Sequence, residues 1–328
     1  MLKIGVLGAG HLGKIHINCI KQIARFDLVG FFDPNRETAK QVETEMQVDG
    51  FETIDALIDA VDVVDIVTPT VSHFECASKA LGKRKHVFIE KPIVATPDEA
   101  NALKKLADEA DVKVQVGHVE RFNPAFIAAE PFIGQPLFVE AHRLALFNPR
   151  GTDVPVVLDL MVHDLDILLT IVKSPVQHVS ASGVAIVSPT SDIANVRIEF
   201  ENGAVANLTA SRLSMKNMRK TRIFQKDAYV TVDFLEKKAE IVRIHDEVDE
   251  TNPLSTTITL ADGAEKQITF EMPEIHPINA IKTELECFYD AVVHNTTPTV
   301  TIDDGINVLK LAYRILDAVN ASIAKVEK

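Results

Sequence analysis

Short apolar runs alternate with amphipathic stretches through the first 120 residues. The apolar runs are KIGVLGA, FDLVGFFD, VDVVDIVTP, KHVFIEKP and VKVQVGH, a type expected of parallel strands covered on both faces. Between them lie stretches with helical spacing, such as LGKIHINCIKQIA, SHFECASKALGK and TPDEANALKKLADEA. The last opens with Thr96 as an N-cap and Glu99 three residues later. The pattern predicts an α/β fold, a doubly wound parallel Rossmann sheet over residues 1–120.

After residue 120 the pattern changes to longer β-rich runs separated by turn signals. NVRIEFENGAVANLTAS carries Asn202-Gly203 between two runs, and YVTVDFLEKKAEIVRI and TTITLADGAEKQITF continue the pattern. Helical spacing returns from His276 onward. We predict a C-terminal α+β domain over residues 121–328, with an open, mainly antiparallel sheet and closing helices. Because such a sheet has a face that must be covered, we expect a homodimer or homotetramer.

Residues 157–169, VLDLMVHDLDILL, predict a buried helix that nevertheless carries four ionisable groups. At about 100° per residue Asp159, His163 and Asp166 share one face, while Asp164 points elsewhere and is expected at the surface or at a cap. A buried carboxylate is costly unless it is paired. We therefore expect Asp159 and His163, one turn apart, to pair with each other. The role of Asp166 stays open between support and substrate contact.

Composition and charge narrow the classes of function. The chain has 328 residues, 46% hydrophobic and 25% charged, as a globular protein of two domains would have. With a net charge of −13 and no basic cluster longer than KRK at 83–85, no nucleic-acid or membrane partner is expected. Three scattered cysteines indicate reduced thiols, and neither a signal peptide nor a membrane-spanning run is visible. We expect a cytoplasmic protein.

A glycine-rich segment, KIGVLGAGHLGKIH, lies between the first predicted strand and helix. Gly8 permits a tight turn, Gly10 lets the backbone approach a pyrophosphate at the helix N-terminus, and Gly13 allows close packing. Asp33 follows twenty residues later, where its carboxylate can accept bonds from an adenosine ribose and would repel a 2′-phosphate. We predict an NAD site, with NADP less favoured. Arg36 weakens that preference, because an arginine can pair with a phosphate.

Two other strand ends carry polar side chains. VDIVTPTVSH ends with TP and then His73, and HVFIEKP ends with EKP. Ligands of open α/β sheets bind beyond the C-terminal ends of the strands. Lys91 is therefore expected beside the nicotinamide, against the commoner case of a solvated loop lysine, while His73 is expected to be structural rather than catalytic. The predicted cofactor contacts are Gly8, Gly10, His11, Leu12, Gly13, Asp33, Thr68, Pro69, His73, Glu90 and Lys91.

Five motifs follow one another along the chain: GAGHLG, the acidic end of FFD, TP…H, EKP and D-x-x-x-H. Together they resemble the Gfo/Idh/MocA family, typified by glucose–fructose oxidoreductase and inositol dehydrogenases. The resemblance covers essentially the whole chain, and EKP is its most specific motif. It implies an NAD-dependent dehydrogenase with catalytic Lys91, Asp159 and His163. Two departures concern the pocket: GTDVPVVLD replaces the usual glycines before the aspartate, and Met161 and Val162 replace the usual small residues before the histidine.

The segment GHVERFNPAF, residues 117–126, resembles family members that oxidise the 3-hydroxyl of a UDP-linked N-acetylated sugar. It implies that Arg121 and Asn123 bind the substrate, together with Asp159 and His163. A structural interpretation, in which RFNP marks the exit of a strand, stays open beside it. The hypothesis is reversible hydride transfer between C3 of a UDP-N-acetylhexosamine and nicotinamide. In it His163 takes the hydroxyl proton.

Several alternatives stay open. A dehydrogenase of a free sugar or inositol would use the same residues, and a biliverdin-reductase-like activity would share the architecture without needing Asp159 and His163. A non-catalytic dinucleotide-sensing regulator would have no reason to keep Lys91 with that pair. Asp159, His163 and Asp166 suit a divalent ion, but no further ligand cluster supports one, so no metal is expected. His16, after the glycines, is expected to be a packing residue.

Overall fold

The computed structural model describes residues 1–148, 152, 154–246 and 255–326. They divide into two compact units. The first contains Met1–Phe122 and Asn279–Lys310; the second contains Asn123–Ile278 and the chain from Leu311 onward. The division after residue 122 lies close to the expected boundary at 120. Residues 279–310 differ from expectation, because they belong to the first unit.

The regular elements are numbered in chain order. The strands are β1 (Leu2–Leu7), β2 (Phe26–Phe32), β3 (Val63–Ile66), β4 (His86–Glu90), β5 (Val114–Gly117), β6 (Phe138–Leu144), β7 (Val176–Val184), β8 (Ile193–Phe200), β9 (Val205–Ser211), β10 (Met218–Phe224), β11 (Ala228–Asp233), β12 (Lys238–His245), β13 (Ser255–Thr259) and β14 (Glu265–Glu271). The helices are α1 (His11–Lys21), α2 (Arg36–Met46), α3 (Ile54–Ala60), α4 (His73–Gly82), α5 (Pro97–Ala110), α6 (Pro124–Ala129), α7 (Val162–Ile171), α8 (Ala280–Val293) and α9 (Ile302–Val326). No helix among these described residues is long and apolar enough to cross a bilayer.

The first unit is built on a parallel sheet with the order β2-β1-β3-β4-β5. This confirms the predicted doubly wound sheet, and all five predicted strands are present. The capping box of Thr96 and Glu99 is also present at the start of α5. Helix α8 joins this unit because Leu285 and Phe288 are fully buried in its core. The Phe288 ring packs edge-on against Phe88 of β4, with centroids 5.9 Å apart.

The second unit contains a sheet with the order β13-β14-β12-β11-β10-β6-β9-β8-β7. All neighbouring strands are antiparallel except β6 and β9, which are parallel. The expected open, mainly antiparallel sheet is therefore confirmed. The Asn202-Gly203 turn joins β8 to β9, and Gly203 has a φ of +84°, a conformation that favours glycine.

The acidic segment 157–169 departs from a regular helix. Val157–Met161 form a π-helical turn, and α7 begins only at Val162. The expectation that Asp164 lies at the surface or at a cap is wrong. Asp164 is buried, and both of its carboxylate oxygens accept bonds from Arg143 of β6, Nε to Oδ2 at 2.8 Å and Nη2 to Oδ1 at 3.0 Å. A fork of this kind satisfies a buried carboxylate without exposing it to water.

Candidate functional site

The glycine-rich loop between β1 and α1 has the geometry that its spacing predicts. Gly8 has a φ of +95°, and a Cβ there would lie 2.8 Å from the carbonyl oxygen of Val67. A Cβ at Gly13 would lie 2.0 Å from the carbonyl oxygen of Gly8, so that only glycine lets the helix approach the strand end. A Cβ at Gly10 would meet no atom within 4 Å. The backbone at Gly10 thus faces open space, as an approaching phosphate requires.

The N-terminus of α1 is left available to an anion. Gly10 is its N-cap and supplies no side-chain cap, and the first turn holds no acidic residue. His11 is exposed, and Leu12 is 36% exposed. The first N–H groups of a helix have no partner inside the helix and carry a partial positive charge. This loop and helix end therefore fit the pyrophosphate of a dinucleotide.

Asp33 lies directly after β2 and reaches back to the glycine-rich loop. Its Oδ2 accepts a hydrogen bond from the backbone N–H of Ala9 at 2.8 Å, and its Oδ1 accepts one from Asn35 at 2.9 Å. Asn35 in turn caps α2. The carboxylate is therefore held at the loop by two backbone donors, while Arg36, the first residue of α2, is exposed.

His73 joins the ends of two strands. Its ring is buried, with Nε2 2.8 Å from the carbonyl oxygen of Thr68 after β3 and Nδ1 2.9 Å from that of Pro92 after β4. Burial lowers the pKa of this imidazole and outweighs the opposing effect of the two carbonyl groups. These contacts favour the structural role expected for His73. Pro69 between them is exposed.

Lys91 is the first residue after β4 and is half-buried, and its bond to Pro92 is cis. The preceding Glu90 is buried, and its Oε2 accepts the backbone N–H of Lys91 at 3.2 Å. Glu90 Oε1 lies 3.3 Å from Nε2 of His16. His16 is thus more than the packing residue that was expected, because its fully buried ring faces ionisable groups.

In the second unit, Asp159 lies in the π-helical turn and His163 lies in the first turn of α7; both are half-buried. Asp166 is buried at 1% exposure, which favours support over substrate contact. Arg212, which directly follows β9, was not predicted to belong to the site. Its buried guanidinium places Nη2 3.9 Å from Asp159 Oδ2 and Nε 4.0 Å from Asp192 Oδ1. No periodic signal distinguishes this arginine from others that follow a strand.

The two residues of RFNP that were predicted to bind substrate lie in different units. Arg121 Nη1 is 3.3 Å from the carbonyl oxygen of Thr299 and 3.4 Å from Asp304 Oδ2. Asn123 is buried and caps α6, with Oδ1 accepting from Ala125 and Nδ2 donating to the carbonyl oxygen of Phe234. These contacts favour the structural interpretation of the segment. Among the described residues, no group of three or more His, Cys, Asp or Glu is arranged to hold a metal ion.

Comparison with known proteins adds the decisive observation. A family model described as an oxidoreductase family with an NAD-binding Rossmann fold matches residues 2–118, and the GFO/IDH/MocA C-terminal domain matches residues 127–231. The chain belongs to the Gfo/Idh/MocA family. The parallel sheet and open loop of the first unit thus belong to an NAD-binding oxidoreductase.

Two Gfo/Idh/MocA relatives are especially informative. UDP-N-acetylglucosamine 3-dehydrogenase of Acidithiobacillus ferrooxidans is 41% identical over 241 residues, which cover 73% of this chain and 76% of the relative. Its solved structure aligns with 98% of both chains at a TM-score of 0.88 and 35% identity. The scyllo-inositol 2-dehydrogenase (NAD(+)) of Bacillus subtilis is 30% identical, covering 65% of this chain and 68% of the relative.

A more distant member shares the fold. The structure of scyllo-inositol dehydrogenase from Lactobacillus casei, with bound NAD(H) and scyllo-inositol, aligns with 98% of this chain and 97% of its own at a TM-score of 0.78. Its identity to this chain is 21%, so it supports the architecture alone.

Proposed function

We propose that this enzyme is an NAD-dependent dehydrogenase that oxidises the 3-hydroxyl of a UDP-N-acetylhexosamine to a ketone, reversibly. The observation that carries the proposal is the similarity to UDP-N-acetylglucosamine 3-dehydrogenase, which extends over 98% of both chains with a TM-score of 0.88. Similarity over both units supports a common substrate class more strongly than similarity of the dinucleotide-binding unit alone, because the fold by itself does not specify a substrate.

Oxidation of a secondary alcohol removes a proton from its oxygen and a hydride from its carbon. A nicotinamide dinucleotide held at the glycine-rich loop would supply the hydride acceptor. His163 takes the hydroxyl proton, a role that suits an imidazole because it titrates near neutral pH. Asp159 orients that imidazole and favours its protonated form. Lys91 donates a hydrogen bond to the same oxygen and stabilises the negative charge that develops there.

One feature, the Asp33 carboxylate, supports NAD over NADP. The Asp33 carboxylate is held at the loop by the backbone N–H groups of Ala9 and Asn35. A fixed negative charge at this position accepts bonds from a ribose and repels a 2′-phosphate. Gly10 and the uncapped start of α1 supply the pyrophosphate contacts. We propose that Gly8, Gly13, His11, Leu12 and Thr68 complete this site.

An inositol or free-sugar dehydrogenase is the second candidate, favoured by the 30% identity to the Bacillus subtilis enzyme. A substrate panel separates the two. The purified protein is mixed with NAD or NADP and with UDP-N-acetylglucosamine, UDP-N-acetylgalactosamine, N-acetylglucosamine, glucose, myo-inositol or scyllo-inositol, and formation of reduced nicotinamide is followed. We expect turnover of a UDP-N-acetylhexosamine with NAD. Turnover of inositol, with no response to either UDP-sugar, would reject the proposal.

Variants then test the assigned roles. Lys91→Ala and His163→Ala should each lower kcat by about 10²-fold or more, since each removes a group that acts on the reacting oxygen. Affinity for NADH should change little. Lys105→Ala and His178→Ala are matched controls, because both side chains are exposed on the same two units. Rates near those of the controls in both test variants would refute the roles.

A further inference from the structure

A buried histidine, His16, faces the residue that precedes Lys91 and has no role in the proposed proton and hydride transfer. His16 projects from α1 and is fully buried. Its Nδ1 lies 2.9 Å from Oδ2 of Asp65 on β3, and its Nε2 lies 3.3 Å from Oε1 of Glu90 on β4. Asp65 is also fully buried, and Glu90 is 7% exposed. Two carboxylates and one imidazole therefore share a site that water barely reaches.

A protonated imidazole cancels one of the two carboxylate charges of this cluster. Two neighbouring buried carboxylates repel each other and lack hydration. Burial alone would lower the pKa of His16, but the carboxylates of Asp65 and Glu90 outweigh it and hold that pKa well above its usual value. Burial would raise the pKa of Glu90, yet the His16 imidazolium outweighs burial and lowers it. Burial raises the pKa of Asp65 despite its bond to His16.

The surroundings of His16 hold few other ionisable groups. Besides Asp65 of β3 and Glu90 of β4, the ionisable neighbours are Lys91, which follows Glu90, and Cys19 of α1. The charge of His16 affects the pKa of the Cys19 thiol. From α8, the Glu284 carboxyl acts on that thiol. An aromatic ring, Phe88, meets the imidazole edge-on with centroids 5.8 Å apart.

The Glu90 carboxylate connects this cluster to the lysine. One oxygen faces His16, and the other accepts the backbone N–H of Lys91. On the neighbouring strand, β5 places Gly117 beside Glu90, and a Cβ there would lie 2.7 Å from Oε1, the oxygen that faces His16. The carboxylate is thus held between an imidazole, a strand that leaves room for it, and the backbone of Lys91.

We propose that His16 is a positioning residue, whose imidazolium bridges Asp65 and Glu90 and thereby fixes the strand end that presents Lys91. The role of Lys91 rests on the proposed function, whereas the bridge itself does not. His16 contacts no reacting atom and acts through Glu90. Removing its charge would leave Asp65 and Glu90 without the cation between them and would loosen the turn after β4.

The kinetic test is His16→Gln, which keeps a polar side chain of similar length and cannot become cationic. We expect kcat to fall by about 10²-fold, a loss typical of a misplaced catalytic group, while the Kd of NADH stays within about threefold. Because Glu90 then takes up a proton at a higher pH, the remaining activity should decline towards acidic pH in a range where the wild-type enzyme does not. Ile20→Val, a buried change on the same helix, should alter neither quantity.

A second variant tests the same proposal in case His16→Gln does not fold. Gly117→Ala introduces a Cβ 2.7 Å from Glu90 Oε1 without changing any charge. It should lower kcat and leave NADH binding intact. Wild-type-like kcat and pH profiles in His16→Gln, or kcat unchanged in Gly117→Ala where the former does not fold, would overturn the inference.

The protonation state of the ring is measured directly by ¹⁵N NMR of ligand-free protein. We expect the His16 nitrogens to report an imidazolium above pH 7 in the wild type, and a lowered His16 pKa in both Asp65→Asn and Glu90→Gln. A neutral His16 in a wild-type enzyme that turns over its substrate would overturn the inference alone. An imidazolium in a protein that oxidises none of the panel would overturn the proposed function alone.

Discussion

The two units compensate their buried carboxylates with different cations. In the first unit, Asp65 and Glu90 share the imidazole of His16. In the second, Asp164 is held by both arms of the Arg143 guanidinium. A guanidinium stays charged at every accessible pH, whereas an imidazole can lose its proton. Similarly buried carboxylates can therefore belong to an ion pair that is charged at every pH or to one whose charge depends on pH.

The largest expected effect concerns the permanent pair. Arg143→Met leaves the Asp164 carboxylate buried without its guanidinium and should lower the free energy of unfolding by about 3–5 kcal/mol. Adding Asp164→Leu to the same protein should restore most of that loss, since an apolar pair of similar volume is often as stable as a buried ion pair. Urea unfolding monitored by circular dichroism measures both.

The control for this pair is Arg197→Ala, because Arg197 and Glu199 form an exposed ion pair with both side chains more than 40% exposed. Exposed pairs contribute about 1 kcal/mol at most. Equal losses in Arg143→Met and Arg197→Ala would contradict the difference between buried and exposed pairs.

A third way of compensating a carboxylate gives the next largest effect. Asp192 is fully buried, and its Oδ2 accepts the backbone N–H groups of Ile186, Val187 and Ser188 at 2.7, 2.8 and 3.1 Å. Burial would raise the pKa of Asp192, but the hydrogen bonds of residues 186–188 outweigh it and lower the pKa to about 2.

Asp192→Asn should therefore cost about 2 kcal/mol near neutral pH. Because the folded-state pKa is lowered, the stabilisation is present above the unfolded-state value and is lost as the pH falls through about 2. Chemical unfolding at pH 7 and at pH 3 measures the difference between wild type and variant. A difference that does not narrow at the lower pH would count against the three backbone donors as its source.

The smallest effect is the pH dependence of the His16 cluster. Since the folded-state pKa of His16 is raised, its contribution to stability is fully present below the unfolded-state value near 6.5 and is lost as the pH rises through the folded-state pKa. The difference in unfolding free energy between wild type and His16→Gln should thus shrink from pH 6 towards alkaline pH. The difference for Arg143→Met should stay constant over that range. If the loss of unfolding free energy varied with pH in the same way for the two variants, the proposed difference between the two units would be contradicted.

Features with a local signal were predicted correctly. The five parallel strands follow from short apolar runs, and the Asn202-Gly203 turn and the Thr96 capping box follow from neighbouring residues. The glycine spacing also predicted the crowded contact at Gly13 and the open backbone at Gly10. In each case the physical cause lies within a few positions along the chain.

Features that depend on distant partners were missed. Asp164 was expected at the surface because its partner Arg143 lies on β6, a strand that the hydrophobic pattern did not reveal. His16 was expected to be a packing residue, because no residue near it in the sequence indicates that Asp65 and Glu90 are its neighbours. The π-helical turn at Val157–Met161 was not predicted, because a helical wheel assumes a constant rotation per residue.

The return of the chain to its first unit has a consequence for synthesis on the ribosome. Helix α8 supplies Leu285 and Phe288 to a core whose other members lie within the first 90 residues. A nascent chain that has released only residues 1–122 therefore carries an apolar face that its own sequence cannot yet cover. At about 5–20 residues per second, the missing helix follows roughly 10–30 s later. Until then the exposed face is a natural target for a chaperone.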